Sequence, residues 1–185
     1  MADLEEKRLS TKQVFKGRLL DIWVDEVELP DGSTSTREFT KHPGAVVVIP
    51  VLPDGKILLI RQYRYPISEV EIELPAGKID PGEEPEETLH RELIEETGYR
   101  AGKITQVVEI HPCVGYSDER MWMYLAEDLQ KETPHTDDDE FIEVIPTELE
   151  ECLRLVRTGE IKDVKTIIGL FWAEKLMGGI WNPPK

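Results

Sequence analysis

The densest chemistry in this chain lies in the run Arg91-Glu92-Leu93-Ile94-Glu95-Glu96. Residues three and four apart share a face of a helix, so a helix here gathers Glu92, Glu95 and Glu96 on one side. Carboxylates that close repel one another at neutral pH, and a divalent cation among them removes the repulsion. Hard oxygen donors of this kind suit Mg²⁺ or Mn²⁺. An acidic stripe facing water is the commoner fate of a glutamate cluster, so the cluster alone does not decide the matter. A second set, Glu69, Glu71 and Glu73, alternates with Val70, Ile72 and Leu74, which is the period of a strand with one polar face. Between Gln130 and Glu140 the chain is polar and acidic around Pro134, ending in Asp137-Asp138-Asp139-Glu140; such a loop is either solvated or functional.

These groups need a frame. Glu84 to Thr97 reads as a short helix with Pro85 at its start, Leu89 and Leu93 on one stripe and Gly98 closing it. Ahead of it, Val14 to Val27 and Arg37-Glu38-Phe39-Thr40 flank the turn Pro30-Asp31-Gly32 as a hairpin. The run Ala45-Val46-Val47-Val48-Ile49 is apolar on both faces and reads as a buried strand, with Pro53-Asp54-Gly55 turning into Lys56 to Gln62 as a second hairpin. Strands are expected over Ile104 to Ile110 and Met121 to Leu125. Thr147 with Glu150 resembles a capping box, and Asp163 is placed to cap a last helix running to Gly178. Hairpins interrupted by one helix and closed by two more predict an α/β sandwich with a mixed sheet rather than a Rossmann fold.

Composition narrows the partners. At 185 residues and 39% hydrophobic content the chain can bury one substantial core. Its 38 acidic against 22 basic side chains leave a formal charge of −16, which repels nucleic acid and an anionic membrane surface. No apolar run approaches the ~20 residues of a spanning helix. The charged stretch from Glu5 to Arg8 lacks the apolar core of a secretory signal, and Cys113 and Cys152 show no metal-type spacing, so a cytoplasmic protein with two ordinary thiols is expected.

Upstream of the glutamate run stand Gly77 and, after five residues, Glu83; seven more lead to Arg91, and the pattern ends in Thr97-Gly98-Tyr99. This resembles the Nudix box, the defining motif of the Nudix hydrolases, with Tyr99 where an aliphatic residue is usual. Eight fixed positions at fixed spacing make the match specific, although it spans only Gly77 to Tyr99. The resemblance implies an α/β Nudix fold, an α/β/α sandwich with mixed β-sheets and a catalytic loop-helix-loop. It further implies Glu92 and Glu96 as principal ligands of Mg²⁺ (Mn²⁺ being possible), with Glu95 close by and the carbonyl of Ala76 completing the site. Such ions neutralise a pyrophosphate, stabilise the phosphoryl transition state and lower the pKa of a bound water. Gly77 would admit a close backbone approach, while Arg91 and Glu83 would hold loop and helix together.

Within the family, Leu58 to Tyr65 followed by Glu73-Leu74-Pro75-Ala76-Gly77, together with Arg37-Glu38, His42-Pro43-Gly44-Ala45 and Tyr116-Ser117-Asp118-Glu119, resemble the branch acting on ADP-ribose and related nucleoside diphosphate sugars. The proline-glycine pair common in that branch is replaced by Val114-Gly115. On this resemblance Arg37 and Arg64 contact phosphates, and Glu71 or Glu73 accepts hydrogen bonds from a ribose. Trp23 or Phe15 is then available to stack on a base, Glu140 is the candidate general base, and residues 1–40 supply N-terminal strands to a homodimer while 41–185 form the Nudix domain. The expected reaction is metal-dependent hydrolysis of the pyrophosphate bond of a small nucleoside diphosphate sugar. A Nudix hydrolase of dinucleoside polyphosphates or nucleoside triphosphates, and a non-catalytic nucleotide-sugar sensor, are the alternatives.

Overall fold

The computed structural model describes residues 4–133 and 141–182. The chain divides into two compact units, one running to Pro43 and including His111–Arg120, the other made of Gly44–Ile110 and the segment from Met121 onward. In the first unit β1 (Lys7–Lys16), β2 (Asp21–Glu28) and β3 (Thr34–Thr40) form an antiparallel meander. Gly32, at φ 84°, takes the left-handed conformation that the tight turn after Pro30 requires. The segment from His111 is tied to the end of β3: Thr40 N donates to Tyr116 O (2.8 Å), Asp118 N to Thr40 O (3.3 Å), and His42 N to Asp118 Oδ1 (2.8 Å). Two stretches far apart along the chain are thus one hydrogen-bonded corner.

The second unit is built on apolar runs that need cover on both faces. Its strands are β4 (Ala45–Pro50), β5 (Ile57–Arg64), β6 (Glu69–Glu73), β7 (Ala76–Lys78), β8 (Tyr99–Arg100), β9 (Lys103–Ile110), β10 (Met121–Glu127), β11 (Gln130–Lys131) and β12 (Ile142–Thr147). A mixed sheet runs β7-β4-β10-β9, with β4 and β10 parallel. An antiparallel sheet runs β12-β5-β6, and β11 pairs with β8. Helices α1 (Pro85–Thr97), α2 (Leu149–Thr158) and α3 (Val164–Met177) complete the unit. Alternation along β4 divides the core: Val46 and Val48 pack with Leu58 of β5 and with Leu89 and Leu93 of α1. Val47 and Ile49 pack with Ile57 and Leu59, and with Cys152, Leu155, Leu170 and Ala173 of α2 and α3. The strand layers therefore carry α1 on one side and the closing helices on the other, the expected α/β/α arrangement with mixed sheets.

Two expectations are corrected. β4 and β5 do not form a hairpin ladder; beyond the single bridge Val51–Ile57 they belong to different sheets, because the edges of β4 are taken by β7 and β10 and those of β5 by β12 and β6. The true hairpin partner of β5 is β6. Thr147 does not cap α2 either, since it remains in β12, its hydroxyl donating to Ile145 O (3.1 Å), and Glu148 occupies the cap position.

Leu93 is fully buried under the helix that carries the glutamates. Replacing it with alanine leaves a cavity that costs about 2–5 kcal/mol, so urea unfolding of Leu93→Ala is expected to show a midpoint lowered by that much stability.

Candidate active site

Local capping fixes α1. Pro85 opens it, Glu84 N donates to the Glu87 carboxylate (2.9 Å), and Gly98, at φ 70°, closes it by donating to Ile94 O (2.9 Å). Along the face so positioned, Arg91 is the hub. Its Nε and Nη2 fork onto the two oxygens of Glu83 (3.0 Å each), and Nη2 also donates to Lys78 O (3.0 Å). Nη1 meets Glu92 Oε1 (2.7 Å) and Glu95 Oε2 (3.1 Å). One guanidinium thereby stitches the β7–α1 loop to the helix and is shared by three carboxylates. The hydrogen bonds from Arg91 and from Thr88 Oγ1 (2.7 Å) hold the Glu83 carboxyl at about 2, and Glu83 in turn raises Arg91.

Glu96 ties the helix to β7. It is buried, and its Oε2 accepts from Ala76 N (3.0 Å) at the start of β7. The next residue is Gly77, where a Cβ would stand 1.8 Å from Cδ of Glu92. The Glu92 side chain thus lies across the loop backbone in the space that only glycine leaves open.

The strand before this loop is anchored from α3. Asp163 accepts from Thr166 N (2.9 Å) and Thr166 Oγ1 (2.6 Å), and that hydroxyl accepts from Leu74 N (2.8 Å). Glu73 pairs with Arg64 through both oxygens (2.6 and 2.8 Å) and with the buried Lys165. Burial pushes the Glu73 carboxyl up, but Arg64 and Lys165 outweigh it and leave it below its ordinary value. Arg64 also feels the charges of Glu96 and Asp163, so the Glu73 network and the glutamate helix share one electrostatic field. A cavity of about 550 Å³ opens beside the network, between β6 and the first turn of α3.

In the first unit Arg37 forks onto Glu6 (2.8 and 2.5 Å). Trp23 donates from Nε1 to Asp21 (2.7 Å), and Lys41 Nζ stands 3.4 Å above its ring centroid. One face of that indole is therefore already engaged by a cation. Glu140, with Asp137 to Asp139, lies outside the described residues.

Residues 40–165 match the NUDIX domain, about two thirds of the chain. The chain belongs to the NUDIX family. Residues 6–39 match the nucleoside diphosphate sugar hydrolase N-terminal domain. An ADP-ribose pyrophosphatase of Bacillus subtilis is 46% identical over 168 residues, 90% of this chain and 91% of that protein. A methanol dehydrogenase activator of Bacillus methanolicus is 41% identical over the same share of each. A crystal structure of an ADP compounds hydrolase superposes with a TM-score of 0.86 at 25% identity, covering 96% of this chain and 97% of its own.

NUDIX hydrolases use divalent metal ions, and the donor set here suits one: Glu92, Glu95, Glu96 and the Ala76 carbonyl are hard oxygen donors. The missing Cβ of Gly77 lets the loop and Glu92 approach as such a site demands. As the side chains stand, no three His, Cys, Asp or Glu groups among the described residues are gathered around one point. Arg91 supplies the positive charge that Glu92 and Glu95 require, and the Ala76 N–H supplies a donor to Glu96.

The motif could not announce Asp163, Lys165 and Thr166, of which Lys165 and Thr166 reach Glu73 and Leu74 across some ninety residues of sequence. The one local hint was Asp163 as a helix cap, because a cap fixes where the next turn points. The Glu83–Arg91 pair carries a pH signature. A carboxyl held at about 2 when folded and near 4.5 when unfolded contributes stability that is full above 4.5 and lost as pH falls toward 2. Thermal melts of the parent protein and Glu83→Gln should differ most at neutral pH and converge between pH 4.5 and about 2.

Proposed function

We propose that this chain hydrolyses the pyrophosphate bond of ADP-ribose or another nucleoside diphosphate sugar, giving a nucleoside monophosphate and a sugar phosphate. The reading is carried by the glutamate helix pinned to the Ala76–Gly77 loop, on a NUDIX fold preceded by a match to a nucleoside diphosphate sugar hydrolase N-terminal domain. In the reaction a water oxygen bonds to one phosphorus and the bond from that phosphorus to the bridging oxygen breaks. The departing phosphate carries that oxygen away with its electron pair. Glu92, Glu95, Glu96 and the Ala76 carbonyl would hold Mg²⁺, with Mn²⁺ as a substitute; bound there, the ion stabilises charge on the phosphoryl oxygens. Arg91 keeps two of these carboxylates and the loop in register. Arg64, part-exposed and within the field of Glu96, would offer a guanidinium edge to a phosphate while Glu73 fixes its orientation. Arg37 is proposed as a second phosphate contact and Trp23 as a stacking surface for the base. Glu140 is proposed, on resemblance alone, to take the proton of the attacking water.

A homodimer is proposed as well. All ten residues of β1 are exposed, and Leu9, Val14 and Phe15 along it are each about half accessible. These three apolar side chains, left bare on a strand that is otherwise polar, are the surface we propose a second copy covers. A cytoplasmic setting is proposed from the two free cysteines. No helix among the described residues is long and apolar enough to cross a membrane.

Incubation with ADP-ribose and Mg²⁺, followed by chromatography, is expected to yield AMP and ribose 5-phosphate, and chelation by EDTA to stop turnover. Glu96→Gln should lower kcat on the order of a hundredfold or more, as loss of one charge-stabilising element does; a normal rate would remove Glu96 from the site. Light scattering is expected to give twice the chain mass, and a monomer mass at micromolar concentration would dismiss the dimer.

A further inference from the structure

Lys165 lies in the first turn of α3, only 6% exposed, between the carboxylates of Glu73 and Asp163 (2.9 Å to Asp163 Oδ2). Burying a lysine is costly, and apolar side chains often replace a buried ion pair with no loss of stability. The joint between α3 and the end of β6 also has a neutral tie, from Leu74 N to Thr166 Oγ1 (2.8 Å), with Thr166 in turn held by Asp163. Fastening the helix therefore does not require a charge at Lys165. The charge has a different use in the pair beside it.

Glu73, also buried, bridges two cations. Its Oε1 accepts from Arg64 Nε (2.6 Å), while Oε2 accepts from Arg64 Nη2 (2.8 Å) and from Lys165 Nζ. Asp163 acts on Arg64 as well, through its charge. In this group Arg64 and Lys165 balance Glu73 and Asp163, so the four together are neutral. Without Lys165 the same guanidinium answers two carboxylates, and the group becomes negative. Arg64 is its most exposed member, with 41% of the side chain accessible. A phosphate arriving at that guanidinium would then meet net repulsion.

We infer that Lys165 is a positioning residue for phosphate binding: it holds Glu73 Oε2 and offsets the second carboxylate, so that Arg64 stays oriented and still attracts the pyrophosphate of the substrate. The inference rests on Arg64 contacting a phosphate, as proposed above. Lys165 touches no substrate in this role and acts only through Arg64.

The test is a double-mutant cycle on ADP-ribose with Mg²⁺, comparing the parent protein, Lys165→Met, Arg64→Ala and the two combined. Arg64→Ala is expected to raise KM about ten- to hundredfold, as loss of a charge-assisted hydrogen bond does. Lys165→Met, with Arg64 still present, is expected to raise KM roughly tenfold with kcat little changed. In the Arg64→Ala background the same substitution should leave KM where it is, because the group it acts through is gone. A lysine that only braced the fold would instead lower the active fraction, and with it kcat, equally in both backgrounds. Lys165→Gln, which keeps a donor toward Glu73 without the charge, serves where the methionine variant fails to fold. Dissociation constants for ADP-ribose, read by calorimetry in EDTA, should rank the variants in the same order without turnover. An unchanged KM in Lys165→Met, or the same rise with and without Arg64, would overturn the positioning role. Arg64→Ala with the parent KM would remove the phosphate contact on which that role rests, and a parent protein that leaves ADP-ribose intact would overturn the functional reading itself.

Discussion

Everything at the site depends on how a single guanidinium is shared. Glu83, Glu92 and Glu95 crowd one region of α1 and its approach, and uncompensated they would drive the helix away from the β7–α1 loop. Arg91 meets all three and also the Lys78 carbonyl, so it acts at once as counter-charge and as a covalently placed strap between loop and helix. Lysine would not serve, because a point charge on a flexible stem cannot fork onto Glu83 while reaching two further carboxylates and a carbonyl.

The loop that faces them is held from both ends. On one side Glu96 takes the Ala76 N–H and Glu92 lies over Gly77. On the other, Thr166 takes the Leu74 N–H while Lys165 and Arg64 fix Glu73. The stretch from Glu73 to Gly77 is thereby fastened first to α3 and then to α1. A three-residue strand such as β7 has little stability of its own, so its position is a consequence of these side-chain ties and of its pairing with β4.

What the sequence disclosed divides along the same line. Features set by neighbours in the chain were legible: α1 with its glycine stop, the alternation of Glu69, Glu71 and Glu73, the Asp163 cap, and the family itself through a motif of fixed spacing. Features set by long-range packing were not. β4 and β5 share the apolar composition of a hairpin with a good turn between them, yet each pairs with strands distant in the chain, β4 with β7 and β10 and β5 with β12 and β6. The turn signal at Pro53-Asp54-Gly55 was right about the reversal and silent about the partner. Thr147 carries the spacing of a capping box, but a strand that extends through it from Ile142 uses its backbone first. Lys165 was invisible because a lone lysine in a helix reads as surface, and only the burial of Glu73 beneath it reveals a pair.

The placement of charge also explains how an acidic protein can favour an anionic substrate. Most of the cations described near the site are already paired: Arg91 with Glu83, Lys162 with Glu69, Lys165 with Glu73 and Asp163. Pairing keeps each of them oriented, and an oriented guanidinium loses less freedom when it binds than a mobile one does. Arg64 is the instructive case. Two of its nitrogens are fixed by Glu73, and the side chain still keeps substantial exposure. Its pairing with Glu73 is thus compatible with a phosphate at its open edge, since one planar cation can face a buried carboxylate on one side and an anion from solvent on the other. Net charge, which for this chain is −16, opposes every anion and does so more strongly the more charged the anion is, so it cannot by itself favour one anionic substrate over another of equal charge.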